Sequence, residues 1–238
     1  MTDPPRQLAL DLPLAPRFGR EDFLVGPTNE AAYARIEVWP DWPDRVLVLT
    51  GPAGSGKSHL AAIWAARAGA RTCPAAAVTR AGVPELAGAG ALVIEDADRP
   101  EDRDEAALFH LLNLARERGS GVVVTGAGPV EAWGLATPDL RSRLRLAPGV
   151  AIAPPDEALL RAVLVKLFVD RQIVVDTSVV DALALRIDRS LGRARDVVAA
   201  LDREGLSRGR RITRPLALAT LAALGGGEAA CDDGTEDA

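Results

Sequence analysis

The 238-residue chain holds only two cysteines, Cys73 and Cys231, set far apart. No disulfide framework or zinc spacing can be assembled from them. Histidine is equally scarce: His59 and His110 stand alone, so neither belongs to a metal-binding constellation, and both read as structural. No apolar run approaches the ~18 residues of a membrane span. The first residues, MTDPPRQLALDLP, are acidic and proline-rich where a secretory leader is basic and then apolar. A cytoplasmic protein with no membrane partner is expected. Lysine is nearly absent too: of 28 basic residues, only Lys57 and Lys166 are lysines.

What charge there is divides unevenly. The formal net charge is -5, and the last fourteen residues, GGGEAACDDGTEDA, contain five acids and no base. The preceding 224 residues therefore balance at 28 of each sign. Strong nonspecific nucleic-acid binding normally leaves a net basic footprint, and none is present. The acidic, glycine-rich end reads as a disordered tail over 225–238.

Along the chain, residues 1–20 read as a flexible arm. Short apolar runs then predict strands at Arg45–Thr50, Ala70–Cys73, Ala91–Glu95, Gly121–Thr125 and Val150–Ala153. Helical spacing falls between them at Lys57–Arg67 and Ala106–Arg118. Such alternation implies an α/β domain with a parallel sheet over 21–154. Beyond Pro155 only helical patterns follow, at Asp156–Asp170, Ser178–Ile187, Leu191–Leu206 and Arg214–Leu224, giving an all-helical part over 155–224. Trp39, Trp42 and Trp64 read as packing residues. The Arg208–Arg211 turn reads as a solvated loop, with DNA contact as the alternative.

The sharpest motif is Gly51-Pro52-Ala53-Gly54-Ser55-Gly56-Lys57-Ser58, placed between a strand and a helix. Glycines there let backbone N–H groups turn toward phosphate oxygens, and the helix N-terminus adds its dipole. Lys57 would reach the β- and γ-phosphates and Ser58 would ligate Mg²⁺. ATP or ADP with Mg²⁺ is the expected ligand. A strand ending in acids should accompany such a loop, and Ala91–Glu95 ends in Glu95-Asp96. Either acid could serve the metal, with Asp96 also the candidate for orienting water.

With these features in place the chain resembles the AAA+ ATPases, a P-loop parallel-sheet domain followed by a helical lid. More narrowly, residues 21–224 resemble the DnaA family of replication initiators. Phe23–Asn29 (FLVGPTN) is similar to the segment lining the adenine pocket, implying Leu24 and Val25 as base contacts. The continuation His59-Leu60 matches that of the family's P-loop, which adds His59 to the nucleotide contacts. Val122–Thr125 is similar to the strand carrying sensor 1. Leu191–Asp196 (LGRARD) is similar to the lid helix carrying sensor 2, implying Arg195, with Arg193 close enough to compete.

Two further segments resemble the short regulatory members of that family, the Hda group, which inactivate the initiator. Pro138–Leu144 (PDLRSRL) matches their arginine-finger segment and implies Arg143 as the catalytic group. Arg141, Arg143 and Arg145 could otherwise form a solvated basic face or contact phosphate in DNA. Gln7, Leu8, Leu10 and Leu12 are similar to the peptide that binds the DNA polymerase sliding clamp. An arm of this kind orders on binding, its glutamine amide hydrogen-bonded and its leucines in an apolar pocket. The implied partners are the initiator DnaA, the clamp, and DNA indirectly through the clamp; a homodimer is also compatible.

One departure matters. The family places a polar residue two positions after the sensor 1 threonine, whereas Gly126-Ala127 follows Thr125 here. Together with Glu95 at the head of the acidic pair, this implies weak intrinsic ATPase activity. The expected role is negative regulation of replication initiation, by promoting hydrolysis of the initiator's ATP. The alternatives are a stand-alone DNA-dependent ATPase, a helicase-loading adaptor, or a binding adaptor with nucleotide as structural cofactor.

Overall fold

A computed structural model describes residues 18–101, 103–208 and 211–225. Gln7, Leu8, Leu10 and Leu12, the residues from 226 onward, and Arg210 lie outside the described residues. Contacts divide the chain into an α/β unit, Arg17–Pro154, and a helical unit that begins at Pro155.

Among the described residues five strands make one sheet: β1 (Val46–Thr50), β2 (Arg71–Pro74), β3 (Ala91–Glu95), β4 (Gly121–Gly126) and β5 (Gly149–Ala151). Every pairing is parallel, in the order β2-β3-β4-β1-β5. The central strands are unbroken apolar runs because helices cover both faces. Side chains alternate between those faces along each strand. Leu47, Leu49, Val93 and Val123 pack with Ile36 of helix α1 (Glu30–Glu37) and with Leu60 and Trp64 of α2 (Lys57–Ala68). Val46, Leu92, Ile94, Val122 and Val124 pack against α3 (Val83–Ala87), α4 (Glu105–Glu117) and α5 (Pro138–Leu146) on the opposite face.

Three helices of this unit do not follow from apolar spacing. α1 is short and its charged residues mask its core contacts, Ala32 and Ile36. α3 spans five residues only. α5 has just Leu140 and Leu144 buried among three arginines, and starts with Pro138, whose fixed φ suits a first helical position. Arg20–Asp22 forms a single 3₁₀ turn, and the Phe18 and Phe23 rings each lie edge-on to His59 at 5.2 Å. Trp39 and Trp42 pack on the buried Trp64, with centroids at 6.0 and 5.4 Å.

The helical unit contains α6 (Glu157–Asp170), α7 (Thr177–Ala184), α8 (Leu191–Arg208) and α9 (Arg214–Gly225) around Leu164, Phe168, Leu183, Val197 and Leu201. Side-chain caps mark their starts: Asp156 accepts from the Leu159 N–H at 2.7 Å and Ser190 Oγ from the Arg193 N–H at 3.2 Å. Asp176 accepts from the Ser178 N–H, so α7 starts one residue before Ser178, and it ends at Ala184, short of Ile187. No described helix is long and apolar enough to cross a membrane.

The sheet's close packing is tightest where β4 ends. A Cβ on Gly126 would lie 2.4 Å from Cζ2 of the buried Trp133. Gly126→Ala should therefore destabilise the protein by about 1–3 kcal/mol, as overpacking does. Chemical denaturation measures this, and an unchanged midpoint would show that the indole yields freely.

Candidate nucleotide-binding site

All the groups singled out by the P-loop and the acidic strand end lie at the carboxyl edge of the parallel sheet, where ligands of open α/β sheets bind. The chain leaves β1 at Thr50 and turns through Gly51–Gly56 into α2. Gly51 adopts φ 150°, and a Cβ there would stand 2.5 Å from the Ile152 carbonyl oxygen. Gly56, at φ 104°, is the left-handed residue ahead of α2 and gives its first turn no side-chain cap. The amides of that turn are therefore available to an anion, and the helix dipole favours one.

Lys57 Nζ folds back over the loop, donating to the carbonyls of Gly51 at 2.7 Å and Pro52 at 2.9 Å. Burial lowers the pKa of this ammonium, while Asp98, Asp96 and Glu95 act against that by raising it. Ser55 Oγ is buried with no hydrogen-bond partner. A phosphate chain supplies what this loop lacks: acceptors for Ser55, for the α2 amides and for the Lys57 ammonium. The residues present therefore fit a nucleotide. Pro52 and Ala53 are exposed at the loop's tip, Gly54 lies beneath them, and Ser58 is exposed at the second position of α2.

Strand alternation separates the two acids. Ala91 and Val93 pack on the α2 face and Leu92 and Ile94 on the α4 face. Glu95 therefore continues the row on the P-loop helix's side. Asp96 turns away at φ 56° and pairs with exposed Arg99 at 3.5 Å. Asp98, which sequence reasoning passed over, is the acid with the largest electrostatic influence on Lys57; the pattern Glu-Asp-Ala-Asp carried that signal. Among the described residues no group of three or more His, Cys, Asp or Glu forms a ready metal cage. Mg²⁺ at P-loop sites draws most of its ligands from phosphate and water, so Ser58 and Glu95 suffice as a protein contribution.

β4 lies between β1 and β3, which puts Thr125 between the P-loop and the acids. Thr125 is 1% exposed. Its hydroxyl accepts from the Asp96 N–H at 3.3 Å and its carbonyl from the Ala97 N–H at 2.9 Å. Ala127 brings no polar group to the strand end. Instead the Trp133 Nε1–H donates to the Ala127 carbonyl at 2.9 Å, drawing the chain back onto the indole.

Leu24 and Val25 sit in a loop fixed by Asn29, which is buried. Asn29 Oδ1 accepts from the Gly26 N–H at 2.8 Å and Nδ2 donates to the Leu24 carbonyl at 2.9 Å. The Ala153 N–H donates to the Thr28 carbonyl at 3.0 Å, next to the Ile152 carbonyl that overlies Gly51. This loop is thus brought beside the P-loop, with Val25 exposed. His59 Nε2 hydrogen-bonds the Gly19 carbonyl at 3.0 Å and so fastens the preceding segment to α2. Arg193 and Arg195 are half-buried at the start of α8, in the helical unit.

Arg143 separates from its neighbours. At 100° per residue, Leu140 and Leu144 set the buried side of α5, with Arg143 on one flank and Arg141 and Arg145 on the other. The three arginines do not form one basic face. Arg145 pairs with Glu131 at 2.9 Å. Arg143 makes no ion pair among the described residues; its guanidinium carbon lies 5.9 Å from the Phe109 ring centroid.

A buried ion pair, invisible to sequence reasoning, lies behind α5. Arg103, its side chain 2% exposed, donates to Glu105 Oε1 at 2.8 Å, to the Ala97 carbonyl at 2.7 Å and to the Trp133 carbonyl at 3.3 Å. Glu105 also accepts from the N–H groups of Thr137 at 2.6 Å and Ala136 at 3.1 Å. Burial pushes its carboxyl pKa up, but the Thr137, Arg103 and Ala136 donors outweigh that and hold it down to about 2.

Two outcomes follow. Lys57→Ala should weaken ATP binding roughly 10- to 150-fold, the value of one lost charge-assisted contact, as read by calorimetry; unchanged affinity would remove the phosphates from this loop. The depressed Glu105 pKa means its stabilisation is complete above the unfolded value near 4.5 and is lost as pH falls through about 2. Glu105→Gln should cost on the order of 2 kcal/mol at pH 7. It should also flatten stability against pH below 4.5, a slope that denaturant titrations at several pH values record.

No protein-family model and no curated protein sequence matches the chain. Solved structures do. Domain III of the replication initiation protein DnaA from Thermotoga maritima superimposes with a TM-score of 0.76 at 22% identity, over 89% of this chain and 98% of that one. AMPPCP-bound DnaA from Aquifex aeolicus gives 0.67 at 17%, over 81% and 67%. A RuvB variant from Thermotoga maritima gives 0.65 at 16%, over 84% and 70%. The chain therefore has the fold of the AAA+ ATPases, a parallel-sheet α/β domain followed by a helical C-terminal part.

Proposed function

We propose that this chain is a nucleotide-binding regulator of replication initiation that acts on the ATP held by a DnaA-type initiator. One contrast carries the reading: the P-loop offers a complete phosphate cradle, while the strand end beside it has Ala127 and an indole-bound backbone in place of a polar side chain. Such a site retains nucleotide and turns it over poorly. The likeness to DnaA domain III over nearly its whole length supports a surface that docks on the initiator's own nucleotide domain.

Arg143 is the group that acts. On the flank of α5 away from Arg141 and Arg145, its guanidinium would meet a neighbour's γ-phosphate and offset the charge that builds in transfer. Arginine fingers in phosphoryl-transfer systems contribute ~10³–10⁵ in rate. Bound ATP or ADP with Mg²⁺ sets the shape of the docking unit, with Lys57, Ser58 and Glu95 as holding groups and Leu24 and Val25 at the base. Asp96 would orient the water of whatever residual turnover the chain has. Gln7, Leu8, Leu10 and Leu12 would tether the protein to the sliding clamp, and so to DNA.

The test is ATP hydrolysis by purified initiator, with and without this protein and DNA-loaded clamp, after subtracting this protein's own turnover. Stimulation should require the clamp and fall at least ~100-fold in Arg143→Ala, with nucleotide affinity retained. Strong turnover by this protein alone, without stimulation of the initiator, would contradict the proposal and favour a self-contained ATPase.

A further inference from the structure

We infer that Glu105 and Phe109, four residues apart on α4, are positioning residues that set the aim of Arg143; this rests on the reading of Arg143 given above. Residues i and i+4 share one face of a helix. On that face of α4, the Glu105 carboxylate receives the Ala136 and Thr137 N–H groups, and the Phe109 ring lies under the Arg143 guanidinium. α5 therefore rests on α4 at two places. One is its N-terminus, and the other is the Arg143 side chain, about 9 Å further along at 1.5 Å per residue.

The chemistry of each contact suits orientation. Thr137 precedes α5 without capping it through its own hydroxyl. The cap comes from a negative charge in another helix, at the end where the dipole favours one. That fixes where α5 begins. Leu140 and Leu144 fix its depth, since both are buried in the core. Neither determines how the long arginine side chain lies beyond the helix surface. The Phe109 ring does so, because a guanidinium prefers the electron-rich face of an aromatic ring and gives up few of its N–H groups there. The donors remain available to an incoming phosphate while the side chain's freedom is already reduced. Ordering a catalytic group before the encounter lowers the entropic cost of the reactive geometry.

The experiment measures the initiator's stimulated ATP hydrolysis with DNA-loaded clamp and the full chain carrying Phe109→Leu, Phe109→Tyr, Glu105→Gln or Arg143→Ala, each titrated to saturation. Nucleotide affinity of every variant is measured alongside as the test of folding. Phe109→Leu should lower the saturating rate about 3- to 10-fold and leave the half-saturating concentration unchanged, because docking survives and aim is lost. Phe109→Tyr keeps a π-face and should restore the rate. Glu105→Gln should lower the saturating rate in the same manner.

Wild-type rates in Phe109→Leu, with Arg143→Ala inactive, would overturn the positioning role and leave the finger standing. Equal losses in Phe109→Tyr and Phe109→Leu would also overturn it, since the ring would then act only as volume. Full activity of Arg143→Ala would instead remove the reading on which this inference rests.

Discussion

A buried guanidinium must find acceptors for its N–H groups, because leaving them dry costs more than most folds can absorb. Arg103 meets that demand at its two terminal nitrogens, leaving only Nε without a partner, and draws acceptors from three parts of the α/β unit: the chain leaving β3 at Ala97, the Trp133 turn after β4, and Glu105 at the start of α4. Much of the site's geometry depends on this. Ala97 follows Glu95 and Asp96, so Arg103 holds the exit of the acidic strand end. Trp133 closes over the β4 end, and Glu105 passes the charge on to the start of α5. One desolvated cation thus ties together the acids, the strand end between them and the P-loop, and the helix that bears Arg143.

The two halves of the P-loop neighbourhood pull in different chemical directions. On the β1 side, backbone amides, Lys57 and the orphaned Ser55 hydroxyl are arranged for anions. On the β4 side, Ala127 brings no polar side chain to the strand end, and the Ala127 and Gly128 carbonyls accept from the indole N–H of Trp133. Retention of ligand and turnover of ligand depend on different atoms, and a chain can keep the first set while losing the second. The balanced charge outside the acidic end is consistent with a protein whose contacts are specific and few.

The strands and the P-loop were legible because their causes are local. A parallel strand covered on both faces must be an apolar run, and a phosphate loop must space its glycines and lysine within eight residues. α5 was not legible as a helix: only Leu140 and Leu144 point inward, too few to show a period among arginines. Arg143 was picked out by a resemblance, whereas its separation from Arg141 and Arg145 needed the helix to be known. Glu105 and Trp133 were missed for another reason. Their partners, Thr137 and Gly126, are matters of spatial contact, and a carboxylate that caps a helix 32 residues later leaves no mark in the residues beside it. Asp98 could have been found, since a third acid after Glu95 and Asp96 was in plain view.

The scarcity of lysine acquires a chemical meaning once Lys57 is placed. Arginine's planar fork cannot substitute for a compact ammonium curled over the Gly51 and Pro52 carbonyls, so a chain that otherwise uses arginine keeps lysine here. As Lys166 belongs to the helical unit, Lys57 is the one side-chain amine of the α/β unit. Amine-directed chemistry on that unit, acetylation included, is thereby concentrated on the atom that would meet phosphate. Acylation there would erase the cation of the cradle in one step, and an occupied cradle would shield it. Acylation of lysine side chains in the α/β unit would thus report on the occupancy of a single loop.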